Sequence, residues 1–353
     1  MGIGGWMTNY KRVRFLPIDR AFEITIGDKE HFERFITQWD IQNIRSFGMD
    51  HIRIPFDQCV IEEYDKPFSY REDMLKLLDR VIDWSLQEGL EVILNLHHAI
   101  GCYCDFPEAS SLLDDEELTV RFIRMWEMLE DRYRDLDIVF ELLNEVTSRD
   151  TEKWNTFAKR AVEALRAKNP TRRLILGCAH WNHPEFLKDM YLFDDPYIGY
   201  TYHFYAPHAF TKQRTTIDVK KYLYNREIPY PGDPSYYKDF ARFCGQSEKE
   251  FDGYDIIGRE YVEDHLKYAV EFKKAHPDKW LWFGEFGSIR HANLRWRENW
   301  MRDVIRYTVE NDIPFSSWNY LSTPYDCNRF SLVTDDERKI ISEEILRLIQ
   351  GKV

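Results

Sequence analysis

The sequence lacks the long apolar runs and the ordered cysteine spacing that mark membrane proteins and disulfide-rich secreted proteins. No apolar stretch approaches the roughly 20 residues that a transmembrane helix needs. Residues 1–5 contain neither a basic segment nor an apolar core, so we expect no signal peptide. The cysteines are few and scattered, and their spacing predicts free thiols rather than a disulfide framework. They are Cys59, Cys102, Cys104, Cys178, Cys244 and Cys327.

The chain is also short of positive charge. It has 48 Lys and Arg residues against 61 Asp and Glu residues, which gives a net charge of −13. Nucleic acids and anionic membranes bind to basic surfaces, so neither is expected as a partner. A neutral small molecule or polymer is compatible with this charge, and we expect the protein to be a monomer.

A metal centre is not expected either, although His97-His98 and Cys102-Tyr103-Cys104 lie close together in the sequence. Zinc sites usually separate two cysteines by two to four residues, and here only one residue intervenes. Adjacent residues of a strand point to opposite faces, so the two histidines are not expected to share an ion. The sequence therefore predicts no metal and no other cofactor.

What the chain does contain is a regular alternation of strand-like and helical patterns, which is typical of βαβ units and a parallel sheet. Seven strand-like segments run from His51–Phe56 to Pro314–Trp318. An eighth, which would come first, has only Gly2–Trp6 to form it. We predict a single α/β domain over residues 1–353, a (β/α)8 TIM barrel.

Residues 206–259 interrupt this alternation. About fifty residues separate the sixth strand from its helix, where two to six are usual. The stretch is rich in Tyr, Pro and Asp. We predict an inserted subdomain or lid after the sixth strand, on the face where the strands end, with a surface elaboration of no catalytic role as the alternative.

Two of the predicted strands end in a carboxylate. Asp137–Glu145 reads D-I-V-F-E-L-L-N-E, and Trp280–Gly287 reads W-L-W-F-G-E-F-G. Reactive side chains of (β/α)8 barrels lie at such strand ends, and two carboxylates are what glycosidic bond cleavage requires. Glu145 and Glu285 are the candidate pair. Glu141 lies roughly 13 Å from Glu145 along a strand, so we expect it to be a structural carboxylate with its own donor.

With these residues in place, the chain resembles glycoside hydrolase family 5, the retaining cellulase-type barrels. Residues 142–145 are similar to the acid/base strand of that family, and residues 284–287 to its nucleophile strand. The further matches are Arg53 in His-Ile-Arg-Ile-Pro, His97 in Asn-Leu-His-His, His203 and Tyr205 in His-Phe-Tyr, and Trp318 in Ser-Trp-Asn. The matches follow the order of the family over nearly the whole chain. The insert resembles one in clostridial endoglucanases, whereas the family usually has Asp where Asn95 stands.

The resemblance implies a role for each matched residue. Glu285 would be the nucleophile, and Glu145 would act first as the general acid and then as the general base. Asn144 would bind the 2-hydroxyl of the sugar. Tyr205 would hydrogen-bond Glu285, and His203 would orient Glu145.

Five more positions are expected to lie in or beside the substrate site. Trp318 would form the floor under the reacting sugar, Arg53 would place positive charge beside the nucleophile, and His97 would hold a hydroxyl. Trp181 follows the fifth strand and is a candidate for stacking on a sugar in a flanking subsite. For His98 two roles are left open, contact with a sugar in a subsite and packing within the protein.

The function implied by the resemblance is an endo-β-1,4-glucanase (a cellulase) acting on cellulose or mixed-linkage β-glucan. A β-mannanase or an exo-β-glucanase of the same family is an alternative, as are a non-catalytic oligosaccharide-binding barrel and a metal-dependent hydrolase. Free cysteines and the missing signal favour the cytoplasm, whereas polymer degradation favours export of a longer precursor. Both locations stay open.

Overall fold

Parallel strands taken in chain order form the centre of the fold. The computed structural model describes residues 1–8, 26–104, 110–215, 219–323 and 329–352. Each strand of the six-stranded sheet pairs with the next along the chain, and strands β3 to β6 are buried throughout, as expected when helices cover a parallel sheet. The strands are β1 His51–Asp57, β2 Glu91–His98, β3 Ile138–Glu141, β4 Leu174–Gly177, β5 Ile198–Phe204 and β6 Leu281–Phe286.

Two short segments close this sheet into a barrel. The Ile3 N–H donates to the Arg53 carbonyl of β1 at 3.0 Å, and the Gly2 N–H donates to the Ser317 carbonyl at 3.1 Å. Residues 314–318 in turn pair in parallel with β6. The predicted (β/α)8 barrel is therefore confirmed. Its first and last strands, formed by residues 2–7 and 314–318, pair with their neighbours through isolated bridges and single hydrogen bonds. The first strand is therefore irregular, which explains why the sequence pattern for it is so short.

The helices lie between the strands and pack apolar faces onto the sheet. Helix α4 shows the pattern clearly, since its buried residues Met74, Leu75, Leu78, Val81 and Ile82 recur at helical spacing. No helix in the described part of the chain is long and apolar enough to span a membrane. The helices are α1 Ile26–Arg34, α2 Gln38–Ser46, α3 Gln58–Ile61, α4 Glu72–Gln87, α5 Glu116–Arg132, α6 Thr151–Lys168, α7 His208–Thr211, α8 Val219–Tyr224, α9 Pro234–Cys244, α10 Arg259–Ala275, α11 Leu294–Glu310 and α12 Glu343–Ile349.

Two predicted helices were wrong in extent. The pattern over residues 30–48 predicts one helix, but α1 and α2 are separate, because Thr37 and Asp40 form a capping box that starts α2 anew. The pattern over residues 336–349 predicts a helix that in fact begins only at α12. Ser342 caps α12, and Ile340 ahead of it pairs with Val333 instead.

The interruption at residues 206–259 contains three short helices, α7 to α9, and a 3-10 turn at Lys249–Phe251. Residues 216–218 lie outside the described part. The buried aromatic residues of the segment belong to the same hydrophobic cluster as the barrel core. The Tyr230 hydroxyl also donates to Asp303 of α11 at 2.8 Å. The segment thus packs onto the barrel, and its action as a separate subdomain or lid stays a prediction.

Candidate active site

The predicted catalytic residues meet at the C-terminal end of the barrel. Glu145 follows β3, His203 lies near the end of β5, and Glu285 lies near the end of β6. A cavity of about 840 Å³ opens beside them. Its lining includes Glu145, Trp181, His203 and Tyr205 from the barrel and Lys212, Phe240 and Tyr254 from the inserted segment. The insert therefore forms part of the wall of the cavity.

Glu145 and Glu285 are close neighbours. One carboxylate oxygen of each, together with a ring nitrogen of His203, lie within 4.8 Å of one another. Glu145 has a φ of 42°, in the left-handed region that residues with side chains rarely adopt. Such strain concentrates where the surrounding structure holds a side chain in one functional orientation.

Arg53 is fully buried and joins three other side chains of the site into one network. Its Nε and Nη2 donate to the two carboxylate oxygens of Glu141 at 2.6 and 2.7 Å, and Nη2 also donates to Oδ1 of Asn144 at 2.8 Å. Its Nη1 donates to Oε1 of Glu285. Burial alone would lower the pKa of Arg53, but Glu141 and Glu285 outweigh it and raise that pKa. Glu141 is thus the structural carboxylate that the sequence predicted.

The second oxygen of Glu285 is held by Tyr205, whose hydroxyl donates to Oε2 at 2.9 Å. Burial, and then the charge of Glu285, raise the pKa of Tyr205 well above its usual value. The hydroxyl therefore keeps its proton at any working pH and remains a donor. Both oxygens of Glu285 are accordingly fixed, one by a cation and one by a neutral hydroxyl.

Trp318 and His97 stack face to face, with ring centroids 5.5 Å apart and planes 5° from parallel. Nδ1 of His97 lies 3.1 Å from Oδ1 of Asn95, so Asn95 occupies the supporting position where the resembling family has Asp. Burial lowers the pKa of His97 well below its usual value. His97 is therefore a neutral imidazole whose Nδ1 donates to Asn95.

His98 lies on the same side of β2 as His97, contrary to the expectation from strand alternation. The pairing of β1 with β2 shifts register so that Phe56 faces Leu96 and Asp57 faces His98, which leaves His97 as an extra residue. Such a bulge interrupts the alternation of side chains. Nδ1 of His98 meets Asp57 at 2.7 Å, and its Nε2 lies 3.2 Å from Sγ of Cys104.

Comparison with known proteins identifies the family of this chain. Residues 20–323 match the sequence profile described as Cellulase (glycosyl hydrolase family 5). The chain belongs to glycoside hydrolase family 5. Endoglucanase C of Acetivibrio thermocellus is 33% identical to it over 355 residues, which cover 99% of this chain and 96% of that protein.

Two further relatives of this family 5 chain differ in how much of it they match. Cellodextrinase A of Ruminococcus flavefaciens is 31% identical over 220 residues, covering 61% of this chain and 60% of that protein. A solved structure of Cel5A from Thermotoga maritima in complex with cellobiose superposes with a TM-score of 0.71 at 23% identity, covering 89% and 90% of the two chains. The latter likeness supports the shared fold.

One residue of the candidate site was missed by the sequence reasoning. Asn182 is fully buried, and its Nδ2 lies 3.2 Å from Nε2 of His203, whose Nδ1 lies 2.9 Å from Oε1 of Glu145. Burial lowers the pKa of His203 to about 4, so the ring is neutral above that pH. Since the amide donates to Nε2, the single ring proton is on Nδ1 and points at Glu145.

An unusual turn carries Asn182 to this position. His180, Trp181 and Asn182 have φ values of 53°, 58° and 57°, three consecutive residues in the left-handed region. Each costs roughly 1–2 kcal/mol relative to ordinary backbone. The Trp181 N–H donates to the Val146 carbonyl at 3.0 Å, and its indole N–H donates to the Cys104 carbonyl at 2.8 Å, which ties the turn to neighbouring loops.

Gly177 at the end of β4 leaves room for this turn. A Cβ at that position would lie 2.3 Å from Oδ1 of Asn182, a distance that no real contact tolerates. A glycine at a strand end is a recognised sign of close approach by another group. Gly177 was therefore the feature of the sequence that could have indicated a side chain packed against the end of β4.

Proposed function

We propose that the chain is a retaining endo-β-1,4-glucanase that cleaves cellulose or mixed-linkage β-glucan by double displacement. The observation that carries this proposal is the closeness of Glu145 and Glu285, whose nearest oxygens are within 4.8 Å. Retaining glycosidases separate their two carboxyl groups by roughly 5–5.5 Å, whereas inverting ones need roughly 6.5–9.5 Å to admit a water molecule. The spacing here favours direct attack by one carboxylate.

Glu285 is the nucleophile in this mechanism. Arg53 and Tyr205 hold one oxygen each, so the carboxylate is oriented before the substrate arrives. The buried guanidinium provides a permanent positive charge beside it. Attack on the anomeric carbon forms a glycosyl ester with Glu285, and the leaving oxygen must be protonated at the same time.

Glu145 supplies that proton and later accepts one from water. His203 donates from Nδ1 to Oε1 of Glu145, so in this mechanism Oε2 carries the acidic proton and delivers it to the glycosidic oxygen. His203 is neutral above pH 4 or so, because burial lowers its pKa to about 4. A neutral donor orients Glu145 without forcing it to ionise, as a general acid requires.

Asn144, Trp318 and His97 form the sugar-binding part of the proposal. Oδ1 of Asn144 is used by Arg53, while its buried Nδ2 has no hydrogen-bond partner within the described residues. A buried donor without a partner is costly, and a sugar 2-hydroxyl would supply the acceptor. The face of Trp318 would carry the apolar face of the sugar.

The choice of a β-1,4-glucan as substrate is supported by the relatives. Endoglucanase C, similar over 99% of the chain, is named for endo action on a glucan. Cellodextrinase A is similar over a shorter range and is named for shorter oligosaccharides. Chain-length preference is therefore the property on which the alternatives differ.

The test is release of reducing sugar from carboxymethyl-cellulose, barley β-glucan, laminarin, mannan and xylan, with Glu285→Gln alongside. We expect rapid release from the first two and none from the variant. Glu130→Gln is a matched control, because Glu130 is also a buried carboxylate paired with an arginine, Arg172, at 2.7 Å but lies outside the site. It should lower stability and leave turnover intact.

Four outcomes would contradict all or part of the proposal: release from mannan alone, release of single sugars, an α-anomer as the first product, and binding without release. Release from mannan alone would retain the mechanism and change the substrate, and release of single sugars from chain ends would make the enzyme an exo-hydrolase. NMR of the first product tests the double displacement, since we expect the β-anomer before mutarotation. Oligosaccharide binding without any release would indicate a binding protein.

A further inference from the structure

A cluster of side chains with metal-binding chemistry lies at the edge of the proposed sugar site and shares only His97 with it. His97, His98 and Cys104 each offer one ligand atom, and these atoms all lie within 4.8 Å of one another. The sequence argument against such a cluster assumed that the two histidines point apart. The bulge at the end of β2 removes that objection, because it places both rings on one side with centroids 5.0 Å apart.

We propose that His97, His98 and Cys104 bind a divalent cation of the zinc type, and that the bound ion blocks the sugar site. Imidazole nitrogen and thiolate sulfur are the ligands that zinc prefers, at about 2.0–2.1 and 2.3 Å. Tetrahedral coordination at those lengths separates two ligands by roughly 3.6 Å. The separation of 3.2 Å between Nε2 of His98 and Sγ of Cys104 is already near that value. No separation in the cluster exceeds 4.8 Å, so no pair of ligand atoms needs to close by more than about 1.2 Å.

The surroundings of the cluster fit a metal site. Asp57 meets Nδ1 of His98 at 2.7 Å and thereby turns Nε2 towards Cys104. A carboxylate behind a histidine ligand is the usual support in zinc sites, where it fixes the ring and raises its basicity. His97 and His98 are buried, whereas Cys104 is partly exposed, so an ion has a route from solvent. Three protein ligands leave a fourth position for water.

Inhibition follows from the position of His97. Its ring stacks on Trp318, the proposed floor of the sugar site, and a coordinated His97 could not also hold a sugar hydroxyl. The ion and the sugar should therefore exclude each other. This step rests on the proposed function, whereas binding of the ion does not.

Binding is tested without reference to activity by titrating the protein with Co²⁺, which occupies zinc sites and absorbs light when bound to thiolate. We expect a thiolate-to-cobalt charge-transfer band in the near ultraviolet, together with visible bands of tetrahedral cobalt. Cys104→Ser should abolish the charge-transfer band. Cys102→Ser is the matched control, since Cys102 is a buried thiol two residues away and outside the cluster, and it should retain the band. Circular dichroism of each variant verifies folding.

Inhibition is tested by steady-state kinetics with Zn²⁺ on barley β-glucan. Zn²⁺ should raise KM and leave kcat unchanged, EDTA should reverse the effect, and Cys104→Ser should require at least about tenfold more Zn²⁺. Equal inhibition of wild type and Cys104→Ser would overturn the proposal and place the ion on the carboxylate group of Glu145 and Glu285.

The two proposals fail separately. Absence of the cobalt band in an active enzyme refutes the metal site and shows that His98 and Cys104 form only a hydrogen-bonded pair. A cobalt band in a protein that hydrolyses nothing refutes the proposed function and keeps the metal site.

Discussion

Replacing Asn182 by alanine should slow catalysis without weakening substrate binding. The amide is fully buried, so it does not reach a sugar, and it acts only through His203. Leaving the buried Nε2 of His203 without its donor costs roughly 1–3 kcal/mol. If that cost falls on the transition state, kcat drops by roughly 5- to 150-fold, since about 1.4 kcal/mol is a factor of ten. KM should change little.

The pH profile provides a second measurement that a purely structural role would not move. The Asn182 amide N–H points at Nε2 and opposes the binding of a second proton there. In Asn182→Ala the pKa of His203 should therefore rise above about 4, while burial, the main cause of the low value, still holds it below its usual value. An imidazolium beside Glu145 would favour the ionised form of that general acid. Activity on the acidic side should then be lost at a higher pH than in wild type.

Initial rates on barley β-glucan over a range of pH are the appropriate assay. Asn155→Ala is the control, because Asn155 is likewise buried and makes two backbone hydrogen bonds, to the Asp189 carbonyl at 2.9 Å and from the Tyr191 N–H at 3.0 Å, away from the site. It should lower stability and leave kcat and the acidic limb unchanged. If the folded Asn182→Ala enzyme has the kcat of the wild type and the same acidic limb in its pH–activity profile, the role assigned to Asn182 is wrong.

Two further predictions concern the floor of the site and the pH dependence of stability. Gly4→Ala places a Cβ 2.3 Å from the ring of Trp318, so we expect a destabilisation of roughly 1–3 kcal/mol and a lower kcat/KM. Thermal unfolding and steady-state kinetics measure the two effects. If neither changes, the ring is free to move and the prediction is wrong. His203 has a pKa of about 4 when folded against about 6.5 when unfolded, so the unfolded chain binds more protons between these values. The neutral form of His203 therefore contributes about 3 kcal/mol to the free energy of unfolding. This contribution is fully present above pH 6.5 and is lost as the pH falls to 4. Urea unfolding of wild type and His203→Asn should give a shallower pH slope for the variant, and equal slopes would contradict the assigned pKa.

The barrel and most of the site were accessible from the sequence because both depend on local patterns. The apolar runs that end in Glu145 and Glu285 identify buried parallel strands, and barrel closure brings their ends together. Resemblance to a known family added roles that spacing alone does not supply.

The features that sequence reasoning missed all depend on departures from regular backbone. Asn182 reaches His203 only because three consecutive residues are left-handed. His98 joins His97 only because a bulge shifts β2 by one residue. The break between α1 and α2 depends on a capping box within a continuous helical pattern. Periodicity assumes regular geometry, so it fails at such positions, and here two of the three lie beside the candidate active site.

The way in which the barrel closes also determines when it is completed during synthesis. Residues 1–7 pair with β1, but their other neighbour is the segment 314–320. At about 5–20 residues per second, a ribosome needs roughly 15–60 s to reach that segment. During this interval Gly2 and Gly4 lack the neighbours that Ser317 and Trp318 provide in the finished barrel. The segment that carries Trp318 is therefore the last part of the barrel to be laid down.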